Sequence, residues 1–196
     1  MRVVLATGNA GKLREFAELL GPFGLQFEPQ SAFGIESPEE TGSTFLENAL
    51  IKARHAARCT GLPAMADDSG LEVDALSGAP GVWSARYAGV GASDAANVSK
   101  LLAALEAVPD AARGARFRCV IVLLQSADDP APRVGEGRWE GRILRAPRGA
   151  GGFGYDPVFA DGAAGPSAAE LPAAQKHARS HRGQALQALL RQLQPG

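Results

Sequence analysis

A chain of 196 residues with a formal charge of −1, 45% hydrophobic and 21% charged side chains, has enough substance for one globular domain with a sizeable core. This near-neutral balance excludes the dominant basic surface that duplex binding demands. The longest purely apolar run, residues 119–124, is far too short to cross a bilayer.

Residues 3–6 read as a short buried strand, and the apolar stretch breaks at Thr7-Gly8, so no secretory pattern is read there. Leu13, Phe16, Ala17 and Leu20 then follow helical spacing, stopped at Gly21. A capping box, Thr44-x-x-Glu47, opens a second helix with Leu46, Ala49, Leu50, Ala53 and Ala57 on its inner face. Residues 64–67 and 71–76 look like strands flanking a turn at Ser69-Gly70. Ser93 begins a third helix carrying Val98, Leu101, Leu102 and Leu105, and residues 117–124 form the strongest strand, buried on both faces. Cys59 and Cys119 match no zinc spacing and are expected to be small buried hydrophobes in a reducing cytosol. Residues 128–132 are a turn cluster, 134–144 a hairpin arm, and 145–154 a Gly- and Pro-rich loop. Ser167-x-x-Glu170 suggests a further helix start, and Leu186, Leu189, Leu190 and Leu193 mark a last helix capped by Ser180. Strands alternating with helices give the α/β class, and the hairpin-like middle favours a mixed sheet. The expectation is one soluble cytoplasmic domain, 1–196, with neither a nucleic-acid nor a membrane partner.

Three segments carry chemistry. Thr7-Gly8-Asn9-Ala10-Gly11-Lys12 turns from a strand into a helix N-terminus, where unpaired amides, the helix dipole and an ammonium suit phosphates. It resembles a Walker A loop but has Ala6 and Leu13 where that motif needs Gly and Ser or Thr, so its magnesium-binding hydroxyl is missing. Taken alone, it is equally a tight turn with a solvated lysine. Asp67-Asp68 reads either as a solvated Asx turn or, with Glu40, as carboxylates for magnesium, which prefers one or two protein oxygens. Glu39 is adjacent and leaves the choice of glutamate open. Phe153-Gly154-Tyr155-Asp156 offers an aromatic face and a carboxylate to a base, or merely covers the core. His181 and Arg182 sit in the first turn of the last helix, where the dipole disfavours cations, which hints at a purpose other than stability.

These segments belong to six ordered blocks: Thr-Gly-Asn-Ala-Gly-Lys at 7–12, Glu-Thr-Gly-x-Thr-Phe-x-Glu-Asn-Ala at 40–49, Ala-Asp-Asp-Ser-Gly-Leu at 66–71, Gly-Ala-Pro-Gly-Val-Trp-Ser-Ala-Arg-Tyr at 78–87, Gly-Gly-Phe-Gly-Tyr-Asp-Pro at 151–157 and Ser-His-Arg-Gly-Gln-Ala at 180–185. Through them the chain closely resembles the inosine/xanthosine triphosphate pyrophosphatase family in its bacterial form. The resemblance implies magnesium-dependent hydrolysis of ITP, dITP and XTP to monophosphate and pyrophosphate, a homodimer, and an elongated mixed sheet with two lobes around a nucleotide cleft. It further implies Thr7, Gly8, Asn9, Ala10, Gly11 and Lys12 as phosphate contacts and Asp68 as the catalytic acidic residue, with Glu40 and Asp68 holding the metal. Lys52, Ser69, Phe153, Gly154, Tyr155, Asp156, Lys176, His181 and Arg182 are implied as further substrate positions. Two other readings stay open: a pyrophosphatase for other nucleoside triphosphates, and a nucleotide sensor that binds without hydrolysis.

Overall fold

The computed structural model describes residues 2–20, 26–162 and 165–193. Six strands form one mixed sheet: β1 (Arg2–Leu5), β2 (Gln26–Pro29), β3 (Ala64–Val73), β4 (Gly114–Leu124), β5 (Arg133–Ile143) and β6 (Phe159–Asp161), in the order β2-β1-β3-β4-β5-β6. β1 pairs parallel with β2 and with β3, whereas β5 and β6 pair antiparallel. Among the described residues the α-helices are α1 (Ala10–Leu20), α2 (Phe45–Thr60), α3 (Asp94–Ala104), α4 (Ala173–Arg179) and α5 (His181–Arg191). The chain divides into two compact units, the first comprising 1–68, 119–137 and 182–196, the second 69–118 and 138–181.

In the first unit, Val3 and Leu5 of β1, Met65 of β3 and Cys119, Ile121 and Leu123 of β4 form one core with Phe16 of α1 and Leu186, Leu189 and Leu190 of α5. The alternate β4 residues Val120, Val122 and Leu124 are also buried. The uninterrupted apolar run therefore has the both-face burial it predicts. Gly135 of β5 lies directly against α5: a Cβ there would collide with the Ala185 carbonyl and stand 2.8 Å from the Leu189 nitrogen. In the second unit Phe117, Trp139 and Phe159 cluster, with Phe117 and Phe159 centroids 4.5 Å apart. Trp139 donates its indole N–H to Asp161. Arg113, fully buried, donates to the carbonyls of Leu105, Ile143 and Leu144.

Local signals are realised where they were strongest. Thr44 and Glu47 complete the capping box of α2, and Ser93 accepts from the Ala96 amide at the start of α3. Elsewhere tertiary structure prevails. The turn expected at Ser69-Gly70 does not exist: β3 runs through it to Val73, and the chain turns after a 3-10 segment, Asp74–Leu76, at Ser77 and Gly78 with φ 52° and 88°. Ser167 and Glu170 open no helix. Glu170 accepts from the Ser167 amide, but the Ser167 hydroxyl donates to Arg148, and α4 begins only after Pro172. Ala17 is exposed because α1 turns Glu15 and Phe16 inward instead, and Leu46 is exposed because α2 buries Phe45, Asn48 and Lys52. Cys119 is buried as expected, while Cys59 is exposed on α2 beside His55. The predicted stop at Gly21 lies outside the described residues. Among the described residues, no helix is long and apolar enough to cross a membrane.

Gly135→Ala should destabilise the protein by about 1–3 kcal/mol through overpacking of β5 on α5. Urea denaturation checks it, and an unchanged midpoint would show that α5 can move away freely.

Candidate active site

The first unit brings its charged residues together around β3. Strand alternation sends Asp67 and Asp68 to opposite faces, and each meets different partners. Asp67, with no exposed surface, accepts from Lys12 Nζ at 2.8 Å, and Arg182 Nε approaches the same oxygen at 3.7 Å. Arg182 is itself buried, paired with Glu15 of α1 and placed over the Phe16 ring. Residues from the amino-terminal turn and from the last helix thus share one carboxylate. Burial alone would raise the carboxyl pKa of Asp67; Lys12, Arg182 and Lys52 outweigh it and hold the group well below the usual carboxylate range. Cys119, its thiol pushed up by burial, stands 4.0 Å from the same oxygen.

Asp68 accepts from Lys52 Nζ at 3.1 Å and from the Asn48 side-chain amide at 3.2 Å, while Lys52 also donates to Glu40 at 2.8 Å. Glu39 is exposed, so Glu40 is the glutamate that belongs to the cluster. Burial favours the neutral amine at Lys52, but Asp68, Asp67 and Glu40 together keep it charged. One ammonium divided between two carboxylates compensates neither fully. Burial therefore pushes Asp68 above the ordinary carboxylate value, Lys52 and Lys12 offset part of that, and Glu40 and Asp67 add repulsion.

The turn between β1 and α1 is shaped by its own side chains. Thr7 Oγ1 accepts from the Asn9 amide, and Asn9 Oδ1 accepts from the Lys12 amide, so Asn9 caps α1. The first turn of α1 holds no acidic residue. The amides of Ala10 and Gly11, in that first turn, have no carbonyl one turn earlier within the helix, as at any helix start.

The second unit gathers the other predicted residues. Asp156, buried, accepts from the Phe153 amide and from Lys176 Nζ, both at 2.8 Å on Oδ2. Lys176 is buried rather than solvated, and its ammonium lies 5.2 Å from the Phe153 ring centroid. Tyr155 is buried and donates to the Ser84 carbonyl at 2.8 Å. Gly154 donates to Asp94 at 2.7 Å. His181 stacks on Phe117, centroids 4.7 Å apart and planes 13° from parallel. Ser69 continues β3 in this unit, half-buried. Sequence reasoning missed Glu15, Asn48 and Asp94. Each looks like an ordinary helix residue until its partner is located.

Among the described residues, the first unit's cluster includes the carboxylates Glu15, Glu40, Asp67 and Asp68 and the cations Lys12, Lys52 and Arg182. Oxygen-only donors at Glu40 and Asp68, which share the Lys52 ammonium, fit magnesium, which takes few protein ligands and keeps water and substrate oxygens. Among the described residues no group of three or more His, Cys, Asp and Glu side chains offers a rival metal site.

A mixed α/β sheet carrying a buried acid–cation cluster beside a glycine-containing strand-to-helix turn defines a class of protein equipped for phosphate-bearing ligands. The Ham1 family model matches residues 3–192, and the chain belongs to the Ham1 family. It is 61% identical to a dITP/XTP pyrophosphatase of Yersinia pestis over 96% of both chains. It is 59% identical to the dITP/XTP pyrophosphatase of Escherichia coli O157:H7 over 100% of this chain and 99% of the other. The structure is similar to a HAM1 protein from Coxiella burnetii, with TM-score 0.90 and 54% identity over 98% of each chain. It is also similar to the Staphylococcus aureus Ham1 protein, with TM-score 0.85 and 40% identity over 98% of each chain.

Because the folded carboxyl of Asp67 titrates below its unfolded value of about 3.9, its pairing stabilises the fold above that pH. The contribution is lost as pH falls towards the depressed value. Asp67→Asn should cost about 3–5 kcal/mol at neutral pH by leaving buried cations uncompensated. In urea melts with chelator the gap from the parent should narrow below about pH 4. A constant gap would mean that Asp67 is not held ionised.

Proposed function

We propose that this chain hydrolyses non-standard purine nucleoside triphosphates, ITP, dITP and XTP, to the monophosphate and pyrophosphate, clearing them from the nucleotide pool. The observation that carries the reading is the junction of Lys12, Asp67 and Arg182 beside the Glu40–Lys52–Asp68 group, within a chain about 60% identical to dITP/XTP pyrophosphatases. A nucleoside triphosphate has two chemically unlike ends, anionic phosphates and a heterocyclic base. Thr7, Gly8, Asn9, Ala10, Gly11 and Lys12, together with Lys52, suit the phosphates. Phe153, Gly154, Tyr155, Asp156, Lys176 and His181 suit the base, with Ser69 and Arg182 as further contacts.

Magnesium, held by Glu40 and Asp68, would neutralise phosphate charge and acidify water. Asp68, held by Lys52 and Asn48, is placed to accept a proton. It orients the water that attacks the α-phosphorus and takes its proton. Lys12 and the amides of the turn stabilise charge growing on the departing pyrophosphate oxygens. The 6-keto group of hypoxanthine and xanthine accepts a hydrogen bond where adenine presents a donor. A buried N–H facing adenine would lose about 1–3 kcal/mol. In this reading residues 1–196 act as one catalytic domain, the homodimer is what the family resemblance implies, and the location is cytoplasmic. The near-neutral net charge supports the absence of a nucleic-acid partner.

Incubation with a panel of nucleoside triphosphates and magnesium, with products weighed by mass spectrometry, should give monophosphate and pyrophosphate from ITP and XTP well ahead of ATP and GTP. Diphosphate with inorganic phosphate would place cleavage at another bond. Asp68→Asn should lower turnover at least about a hundredfold while ITP binding survives. Near-normal turnover would remove Asp68 from the chemistry.

A further inference from the structure

The loop around Phe153 is tied down residue by residue, and two of the ties come from far along the chain. Phe153 N–H and Lys176 meet on Asp156, Tyr155 hydroxyl reaches Ser84, and the Asp156 amide returns to the Phe153 carbonyl at 3.3 Å. Between these, the Gly154 amide donates to Asp94 Oδ2 at 2.7 Å across a separation of 60 residues. Gly154 has φ 62°, the left-handed region, so the backbone beside Phe153 is bent where that bond is made.

Asp94 is the first residue of α3, directly after the Ser93 cap, where an acidic side chain complements the helix dipole. That alone accounts for an acid at this position but not for its aim at an amide in another segment. A charged acceptor at this distance makes a strong, directional bond. The frame behind it is firm: Asn97, one turn along α3, is buried, accepts from the Ala88 amide and donates to the Ala85 carbonyl. The same 3-10 segment, Gly81–Arg86, supplies Ser84 to Tyr155. Asp94 itself is exposed, so it contributes little to the core and its removal leaves the packing intact.

We propose that Asp94 is a positioning residue for the base-recognition loop: by holding the Gly154 amide it sets the Phe153 ring for stacking and so governs nucleotide affinity rather than bond cleavage. This rests on the reading of residues 153–156 as the base end. Gly154 is then the coupling point between α3 and the ring. Loss of its acceptor frees the backbone next to Phe153 without touching Lys12, Glu40 or Asp68.

Steady-state kinetics with ITP and magnesium on Asp94→Ala, Asp94→Asn and Phe153→Ala test the proposal. Asp94→Ala should raise KM about three- to tenfold with kcat within about twofold. Asp94→Asn, which keeps an acceptor oxygen, should recover most of that loss, and the melting temperature of both should stay within about 2 °C of the parent. If Phe153→Ala raises KM while Asp94→Ala does not, the positioning role is wrong and the base reading stands. If neither changes KM, the base reading fails and takes this proposal with it. A fall in kcat and melting temperature together for Asp94→Ala would make Asp94 a structural residue and overturn the role.

Discussion

The carboxylate of Asp67 is the constraint on which the phosphate side of the molecule depends. An ionised group without any exposed surface is tolerated only where opposite charges and hydrogen bonds replace water. Lys12 and Arg182 supply them, and Glu15 answers the remaining demand of Arg182. The start of α1, the middle of β3 and the first turn of α5 are thereby fixed to one point. The cations are not equivalent: the side chain of Lys12 is 13% exposed, against 7% for Lys52 and 3% for Arg182. Lys12 alone of the three combines an ion pair with appreciable access to solvent. On the proposed function, it is the charge that a phosphate would draw from Asp67 at least cost in desolvation.

Two adjacent aspartates on one strand have been given opposite electrostatics. Asp67 faces more positive charge than it needs and is locked as an anion, whereas Asp68 shares Lys52 with Glu40 and is left undercompensated. Strand alternation makes this possible, because a single residue step carries the side chain into a different environment. The result is one carboxylate locked as an anion beside one that is not. Asp67 organises cations, and Asp68 keeps the affinity for a proton or a metal that an overcompensated carboxylate would lack.

What the sequence reveals follows from how local each interaction is. The capping box at Thr44, the Ser93 cap and the both-face burial of β4 depend on neighbours within a few residues or on one continuous run. Each is legible. Ser69-Gly70 has the composition of a turn, yet β3 continues because Asp67 and Asp68 find partners in distant segments and have no need of an Asx turn. The inward face of α1 is misread for the same reason. Glu15 takes a core-facing place that hydrophobic periodicity assigns to Ala17, and its partner Arg182 is 167 residues away. Resemblance, not spacing, is what singles out Asp68, Lys52 and Phe153 as expected site positions. No spacing rule could connect Asp94 to Gly154.

The glycines of the 151–154 segment acquire their meaning from Asp156. Gly152 has φ 71°, and a Cβ there would collide with the Asp156 Oδ2 that accepts from Phe153 and Lys176. A side chain at 152 would therefore do more than strain the backbone. It would displace the carboxylate that holds the aromatic ring and the ammonium in register, and would leave Lys176 buried beside a lost counterion. The apparent softness of a glycine-rich loop is, at this position, the steric condition for a rigid one: an absent side chain lets a charged one fold back beneath the turn. Phe153 can then stand half-exposed on backbone anchored from below by Asp156 and from the side by Asp94.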